Sequence, residues 1–295
     1  YTQWLNGRAG IEADLTITRL AEDDFRIVTS GETEVRDFSY LERNIDGSAH
    51  AHLYNETSAL AVLSVMGPRS RALLQSLSPD DLSHTAFPFA TSREIELGYT
   101  RVRASRITYV GELGFELYIP TEFALGVYEK LIEQGSSFGL VHCGYHALNS
   151  LRIEKAYRHW GHDIADEDSP LEAGLMFVVK LDKAGGFIGR DALMRQMERG
   201  RERALVQFQL KDSEPLLYHN EPIWRDQSIV GYITSGMYGH TLGAAVGLGY
   251  VSAPTGSSAE DILSSTYDIE VAGKRIPAIA SFRPLYDPGN AKIRA

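Results

Sequence analysis

The sequence after residue 200 constrains the fold more than any other part of the chain. Short runs rich in β-branched and aromatic residues follow one another there, and stretches containing Gly and Pro separate them. Runs of about four to eight such residues between turn signals are typical of antiparallel strands. Several short strands at this spacing predict a small antiparallel barrel or sandwich. The predicted strands are residues 204–210, 228–234, 245–251, 266–271 and 276–281.

The part of the chain before residue 200 mixes strands and helices in irregular order. Residues 13–20 alternate apolar and polar side chains, and together with residues 25–30 they predict a hairpin. Apolar residues at helical spacing predict helices over residues 32–45 and 147–160, and an apolar run predicts a strand over residues 175–181. This order favours an α+β fold over a doubly wound parallel sheet. We therefore predict an α+β region over residues 1–200 and a β-barrel domain over residues 201–295.

Composition limits the partners of the chain. Lys and Arg number 29 and Asp and Glu number 39, so the formal net charge is −10. Sequence-independent binding of nucleic acid needs clustered cations, so we expect no nucleic-acid partner. The apolar runs are far shorter than the roughly 20 residues that a transmembrane helix needs, so we expect no membrane span. The single cysteine, Cys143, leaves no internal disulfide and fits the cytoplasm or, in a eukaryote, the mitochondrial matrix.

Residues 109–116, Tyr-Val-Gly-Glu-Leu-Gly-Phe-Glu, lie between two runs with strand character. Their two glycines suit a tight turn or the close approach of a ligand. The local pattern fits a plain hairpin with solvated acids. It also fits the wall of a binding site, where Tyr109 packs on a flat ligand and Glu116 accepts paired N–H bonds from it. Both interpretations stay open at this level.

Three further features of the sequence bear on the chemistry of the chain. Asp14 fits a carboxylate at the start of a strand, and it also fits a group that orients a ligand amine. His159 and His162 are spaced for metal binding, but no further Cys or paired His completes a set of ligands, so we predict no metal. No Gly-x-Gly-x-x-Gly follows a strand, so the chain itself carries no flavin- or nicotinamide-binding fold.

Taken together, six segments resemble the tetrahydrofolate-binding aminomethyltransferase family, which is the T-protein family of the glycine cleavage system. The segments occur in matching order and spacing along nearly the whole chain. Residues 149–161 and 282–288 are most similar to the C-terminal folate domain of dimethylglycine and sarcosine dehydrogenases and oxidases. The six segments are residues 1–15, 25–30, 109–116, 150–161, 169–180 with 187–193, and 233–236 with 241–243.

The resemblance implies ferredoxin-like units around a central folate channel, followed by the small β-barrel. It implies a one-carbon-transfer module of a flavin-dependent N-demethylating enzyme, which forms 5,10-methylenetetrahydrofolate from tetrahydrofolate. The small N-methyl amine would be oxidised on an upstream domain that holds FAD. Because the chain opens at Tyr1 in what looks like the middle of a folded element, we expect the first folate-domain strands upstream as well.

The resemblance also implies roles for individual residues. Asp14 matches the carboxylate beside the reacting carbon, where it would orient the reactants and stabilise positive charge. Glu116 matches the acid that accepts bonds from the pterin N–H groups. Arg294 would reach the folate carboxylates. The other expected folate contacts are Tyr1, Thr29, Ser30, Tyr109 and Tyr157.

Two positions depart from the pattern of the stand-alone aminomethyltransferases. Leu148 occupies the place of a pterin-contacting arginine, and Ser30 occupies the place of an asparagine. The loss of the arginine favours the dehydrogenase branch. Two alternatives stay open: a stand-alone aminomethyltransferase of the glycine cleavage system, acting on a lipoyl-bound aminomethyl group, and a non-catalytic folate-binding module.

Overall fold

The structure, a computed structural model, describes residues 1–254 and 257–295. Over these residues the chain forms two compact units, each assembled from separate stretches of sequence. The predicted domain boundary near residue 200 stays a prediction. The first unit joins Tyr1–Arg43 to Asn149–Tyr286, and the second unit joins Asn44–Leu148 to Asp287–Ala295.

Strands and helices alternate irregularly along the described residues, as an α+β fold requires. The strands are β1 (Thr2–Leu5), β2 (Ile11–Arg19), β3 (Phe25–Val28), β4 (Leu60–Met66), β5 (Ser92–Leu97), β6 (Thr100–Ser105), β7 (Gly114–Pro120), β8 (Arg203–Leu210), β9 (Pro222–Arg225), β10 (Ser228–Gly239), β11 (Ala244–Ser252), β12 (Tyr267–Val271) and β13 (Lys274–Ser281). The α-helices are α1 (Glu34–Asn44), α2 (Ser70–Leu77), α3 (Thr121–Gly135), α4 (Tyr145–Glu154), α5 (Arg190–Arg199), α6 (Ala259–Leu263) and α7 (Ala291–Arg294).

In the first unit, β1, β2 and β3 form an antiparallel sheet in that order. Buried and partly exposed residues alternate along the first half of β2, because successive side chains of a strand point to opposite faces. The sheet confirms the predicted hairpin of β2 and β3. Its register places Gln3 of β1 directly opposite Asp14 of β2.

The first unit also contains the closed barrel, in which the strands follow the order β10-β11-β8-β13-β12-β9 and neighbours run antiparallel. Its core is apolar and includes the fully buried Phe208 and Tyr267. The barrel and the α+β class were both predicted and are confirmed. Strand β9, which closes the barrel, was not predicted because it has only four residues and begins with Pro222, a residue that cannot donate to a strand ladder.

In the second unit, the strand order β4-β7-β6-β5 makes an antiparallel sheet against which α2 and α3 pack. Strand β6 ends at Ser105, so residues 106–113 form the connection to β7. Gly111 has a φ of 74°, a conformation that favours glycine. A Cβ on Gly114 would lie 2.9 Å from Cγ of Met66, so that position has little room for a side chain.

Two predicted elements differ from the structure. Residues 175–181, predicted as a strand, contain only a short 3₁₀ turn at Met176–Val178, because an apolar run alone does not distinguish a strand from a buried turn. Helix α4 ends at Glu154 instead of residue 160. Ala156 adopts a left-handed conformation with a φ of 56°, and the next N–H, that of Tyr157, bonds back to the helix. Glycine usually marks such an end, and here alanine takes its place.

A buried charged pair connects α4 to the barrel. Arg152 and Asp163 are 2% and 0% exposed, and their Nη1 and Oδ2 atoms lie 2.5 Å apart. Arg152 also donates to Oγ of Ser235 in β10 at 2.9 Å. Asp163 accepts from Oγ1 of Thr234 at 2.5 Å and from the His159 N–H at 3.0 Å. Helix, loop and barrel strand therefore meet at one charged pair.

We expect Gly10→Ala to destabilise the protein by about 3 kcal/mol, because overpacking a buried position forces the backbone apart. A Cβ on Gly10 would lie 1.7 Å from the carbonyl oxygen of Asp166. Gly7 lies in the same turn between β1 and β2, and no heavy atom lies within 4 Å of a Cβ built there. Denaturant unfolding measures both variants, and an equal loss in Gly7→Ala and Gly10→Ala would contradict this account.

We expect Arg152→Ala to destabilise the protein by about 3–5 kcal/mol, because it leaves the buried Asp163 carboxylate without its cation. The matched control is Lys130→Ala, which removes an exposed ion pair with Glu133 of 2.8 Å. The control should leave the unfolding midpoint unchanged within error. Similar midpoints for the two variants would show that the buried pair contributes no more than a surface pair.

Candidate functional site

Asp14 is held in place by the pairing of β1 with β2. Nε2 of Gln3 donates a hydrogen bond of 2.7 Å to Oδ1 of Asp14 across the two strands. The Tyr1 hydroxyl forms a second bond to the same carboxylate. Burial raises the pKa of Asp14, and the bonds from Gln3 and Tyr1 oppose that rise. Asp14 is therefore a partly buried carboxylate that neutral donors orient.

Two further groups act on the electrostatics around Asp14. More than half of the Tyr1 surface is exposed, but burial around its hydroxyl and the charge of Asp14 both raise the pKa of Tyr1. The guanidinium of Arg158 donates to the carbonyl oxygens of Ala156 and Ala173 at 2.8 Å. Burial lowers the pKa of Arg158, while the negative charge of Asp14 is among the groups that raise it. Arg158 thus supplies positive charge near the carboxylate.

The other predicted contacts of the first unit lie at the ends of elements. Thr29 and Ser30 follow the last residue of β3, and both are partly buried. The Ser30 carbonyl accepts bonds from the N–H and the hydroxyl of Thr33, both at 3.1 Å, and so begins the next helical turn. Tyr157 follows the left-handed turn that ends α4, and its carbonyl accepts from Arg152 at 3.0 Å. Among the predicted contacts of this unit, Tyr1 and Asp14 are brought together by the pairing of β1 with β2.

Glu116 lies on β7 in the second unit. Its cross-strand neighbours are Ser64 on β4 and Ser105 on β6. The hydroxyl of Tyr118 donates a hydrogen bond of 2.7 Å to Oε2 of Glu116. Burial raises the pKa of Glu116, and the bond from Tyr118 opposes that rise. Glu116 is therefore a second partly buried carboxylate held by a neutral donor.

Tyr109 and Arg294 belong to the second unit as well. Tyr109 is partly buried in the connection that precedes β7. Arg294 is exposed on the short helix α7, whereas its neighbour Ile293 is buried. The assignment of these two residues as folate contacts stays a prediction.

His159 and His162, the pair whose spacing could fit a metal, lie side by side. The rings of His159 and His162 lie 4.7 Å apart between centroids. Within residues 1–254 and 257–295, no three His, Cys, Asp or Glu side chains gather closely enough to hold a metal ion. In the same part of the chain, no helix is both long enough and apolar enough to cross a bilayer.

Sequence reasoning missed three residues that shape these carboxylate sites: Gln3, Arg158 and Tyr118. Tyr118 had a local signal, because residues two apart on a strand project to the same face. Gln3 becomes visible only when the register of β1 and β2 is known. Arg158 lies far from Asp14 in sequence, so no local pattern connects them.

This geometry is suited to binding and stabilising positive charge. Asp14 and Glu116 both carry pKa values raised by burial, so each gains from a ligand that brings N–H donors or a cation. A partly buried, oriented carboxylate stabilises charge more strongly than one in water, because nearby solvent does not screen it.

Comparison with known families identifies the same architecture. The family model of the GCVT N-terminal domain matches residues 1–183. The model of the glycine cleavage T-protein C-terminal barrel domain matches residues 203–287, which include the closed barrel. The solved structure of the glycine cleavage system aminomethyltransferase T from Bartonella henselae superposes with a TM-score of 0.84 at 27% identity, covering 98% of this chain and 76% of that chain.

Two curated relatives match over the whole chain. The 4-methylaminobutanoate oxidase (formaldehyde-forming) of Paenarthrobacter nicotinovorans is 42% identical over 100% of this chain and 35% of its own length. The mitochondrial sarcosine dehydrogenase of Homo sapiens is 36% identical over 100% of this chain and 34% of its own length. The chain thus spans about a third of the length of these two relatives. Family models and fold agree, and the chain belongs to the glycine cleavage T-protein (aminomethyltransferase) family.

Proposed function

We propose that this chain is the tetrahydrofolate-binding, one-carbon-transfer module of a flavin-dependent N-demethylating dehydrogenase or oxidase. The observation that carries the proposal is the Asp14 carboxylate, which Gln3 and Tyr1 orient in a family whose members include aminomethyltransferases. The names of the oxidase and dehydrogenase relatives support the N-demethylating branch. The product would be 5,10-methylenetetrahydrofolate.

Asp14 is the proposed catalytic residue. In its ionised form it stabilises the positive charge that develops on the reacting amine, and it fixes the amine against the folate. Arg158 opposes the effect of burial on the carboxylate, since its positive charge lowers the pKa of Asp14. Tetrahydrofolate, a co-substrate, supplies the nitrogen atoms that accept the one-carbon unit. The chain itself orients the reactants and holds the compensating charge.

Glu116 is the proposed contact of the pterin ring. Its chemistry fits that ligand, because a carboxylate raised in pKa by burial gains from accepting N–H bonds, and a reduced pterin offers adjacent N–H groups. Tyr109 and Tyr157 are each proposed as folate contacts, and Arg294 is proposed to bind the folate carboxylates. Tyr1, Thr29 and Ser30 complete the proposed set at the first sheet.

The same proposal names the binding partners and the cellular compartment of the protein. FAD is proposed to reside on a domain upstream of this chain, where a small N-methyl amine is oxidised. Nucleic acid and membrane are not proposed as partners, given the net charge of −10 and the absence of long apolar runs in the sequence. A reducing compartment is proposed, the cytoplasm or the mitochondrial matrix, and the mitochondrial name of the human relative supports the second.

A second candidate is a stand-alone aminomethyltransferase of the glycine cleavage system. The superposition with the Bartonella henselae enzyme over 98% of this chain favours it. Leu148 in place of the family arginine favours the dehydrogenase branch instead. The reading frame upstream of Tyr1 discriminates the two, because a Gly-x-Gly-x-x-Gly flavin domain belongs only to the first candidate.

We expect Asp14→Asn in the full-length protein to lower methylenetetrahydrofolate formation about 100-fold, because the variant loses the compensating charge. Oxidation of the N-methyl amine should remain near the wild-type rate. The two rates are measured separately, as folate product and as flavin reduction. Equal loss of both rates would contradict the role given to Asp14.

We expect Glu116→Gln to weaken tetrahydrofolate binding about 10- to 100-fold, the effect of losing a hydrogen bond to a charged group. Glu112→Gln is the matched control on the same stretch, and its affinity should equal that of the wild type. Calorimetry with tetrahydrofolate under anaerobic conditions gives both values. Absence of measurable binding by the wild-type full-length protein would overturn the folate assignment itself.

A further inference from the structure

Tyr118 and Glu116 form a unit on one face of the four-stranded sheet. The two residues are two positions apart on β7, so their side chains project in the same direction. The Tyr118 hydroxyl lies 2.7 Å from Oε2 of Glu116, and Tyr118 is only 5% exposed. Because water has little access to this tyrosine, the hydrogen bond forms with little competition from solvent.

The two oxygens of Glu116 differ in their surroundings. Oε2 accepts the bond from Tyr118. Over residues 1–254 and 257–295, no protein donor reaches Oε1, and this atom is not among the fully buried ones. An ionised carboxylate accepts several hydrogen bonds, so the second oxygen retains its capacity for a ligand. One oxygen is thus held by the protein, and the other keeps its hydrogen-bonding capacity.

We propose that Tyr118 is the positioning residue for Glu116, which it holds in the orientation and ionised form that bind the ligand. Its hydroxyl fixes the plane of the carboxylate and favours the ionised form. Glu116 then selects rings that present adjacent N–H groups, such as the 2-amino-4-oxopyrimidine ring of a reduced pterin. This inference rests on the proposed function, which assigns the pterin contact to Glu116.

Removing the hydroxyl has a predictable electrostatic consequence. Burial raises the pKa of Glu116 and the bond from Tyr118 lowers it, so Tyr118→Phe raises that pKa further. A smaller fraction of Glu116 is then ionised at a given pH. Affinity for the ligand therefore falls, and part of it returns as the pH rises.

The test is anaerobic calorimetry of tetrahydrofolate binding to the full-length protein, from about pH 6 to about pH 9, a range that lies above the ordinary carboxyl pKa. We expect Tyr118→Phe to weaken binding about tenfold near neutral pH, with a smaller loss at the upper end. Tyr128→Phe is the matched control, because it removes a hydroxyl that bonds the exposed His142 at 2.9 Å. The control should match the wild type throughout.

A double-mutant cycle separates this role from a general effect on the sheet. In a Glu116→Gln background, Tyr118→Phe should change the affinity less than about twofold, since the charged acceptor is already gone. If the wild type binds but Tyr118→Phe behaves like Tyr128→Phe, or loses affinity equally in both backgrounds, the role of Tyr118 is overturned. If the wild type itself does not bind, the proposed function is overturned instead.

Discussion

The enclosed pair of Arg152 and Asp163 is the interaction on which the first unit most depends. Burying two charges costs several kcal/mol each unless each charge is paired and hydrogen-bonded. Here both conditions are met, because Arg152 and Asp163 pair with each other. The hydroxyls of Ser235 and Thr234 in β10 add hydrogen bonds to Arg152 and Asp163, respectively. The pair therefore ties the end of α4 to the barrel at a defined point. Removing one partner leaves the other charge buried and unpaired.

The pair of Arg152 and Asp163 also determines the path of the chain after α4. The backbone carbonyl of Arg152 accepts a hydrogen bond from the Tyr157 N–H, and the Arg152 side chain donates to the Tyr157 carbonyl. These two bonds hold the turn that ends the helix. Arg158 follows at once, with its guanidinium held by two backbone carbonyls. The positive charge that acts on Asp14 is thus positioned by a helix end, and the helix end is positioned by the buried pair.

The sequence allowed most of the strands, the barrel and the family to be predicted, because alternation, turn residues and motif spacing are local properties. It did not allow the end of α4 to be predicted, since Ala156 takes a conformation that glycine usually marks. Asp163 stands close to Asp166, Glu167 and Asp168 in the sequence, a cluster typical of a solvated loop, yet it is fully buried. Its burial depends on Arg152 and Thr234, which lie 11 and 71 positions away in the sequence. Contacts of this kind leave no local pattern.

Four of the carboxylates in this chain fall into two groups, according to the groups that bond to them. Asp163 forms an ion pair with Arg152. Glu154 accepts hydrogen bonds from the N–H groups of Thr241 and Leu242 at 2.8 and 3.0 Å. Groups of the protein itself therefore pair with both acids. Asp14 and Glu116 are oriented mainly by neutral side chains, and burial raises the pKa of each. Acids of the first kind stabilise the fold. Acids of the second kind can still accept hydrogen bonds from a ligand or stabilise its positive charge. A ligand for this chain should therefore be sought at Asp14 and Glu116 rather than at Asp163.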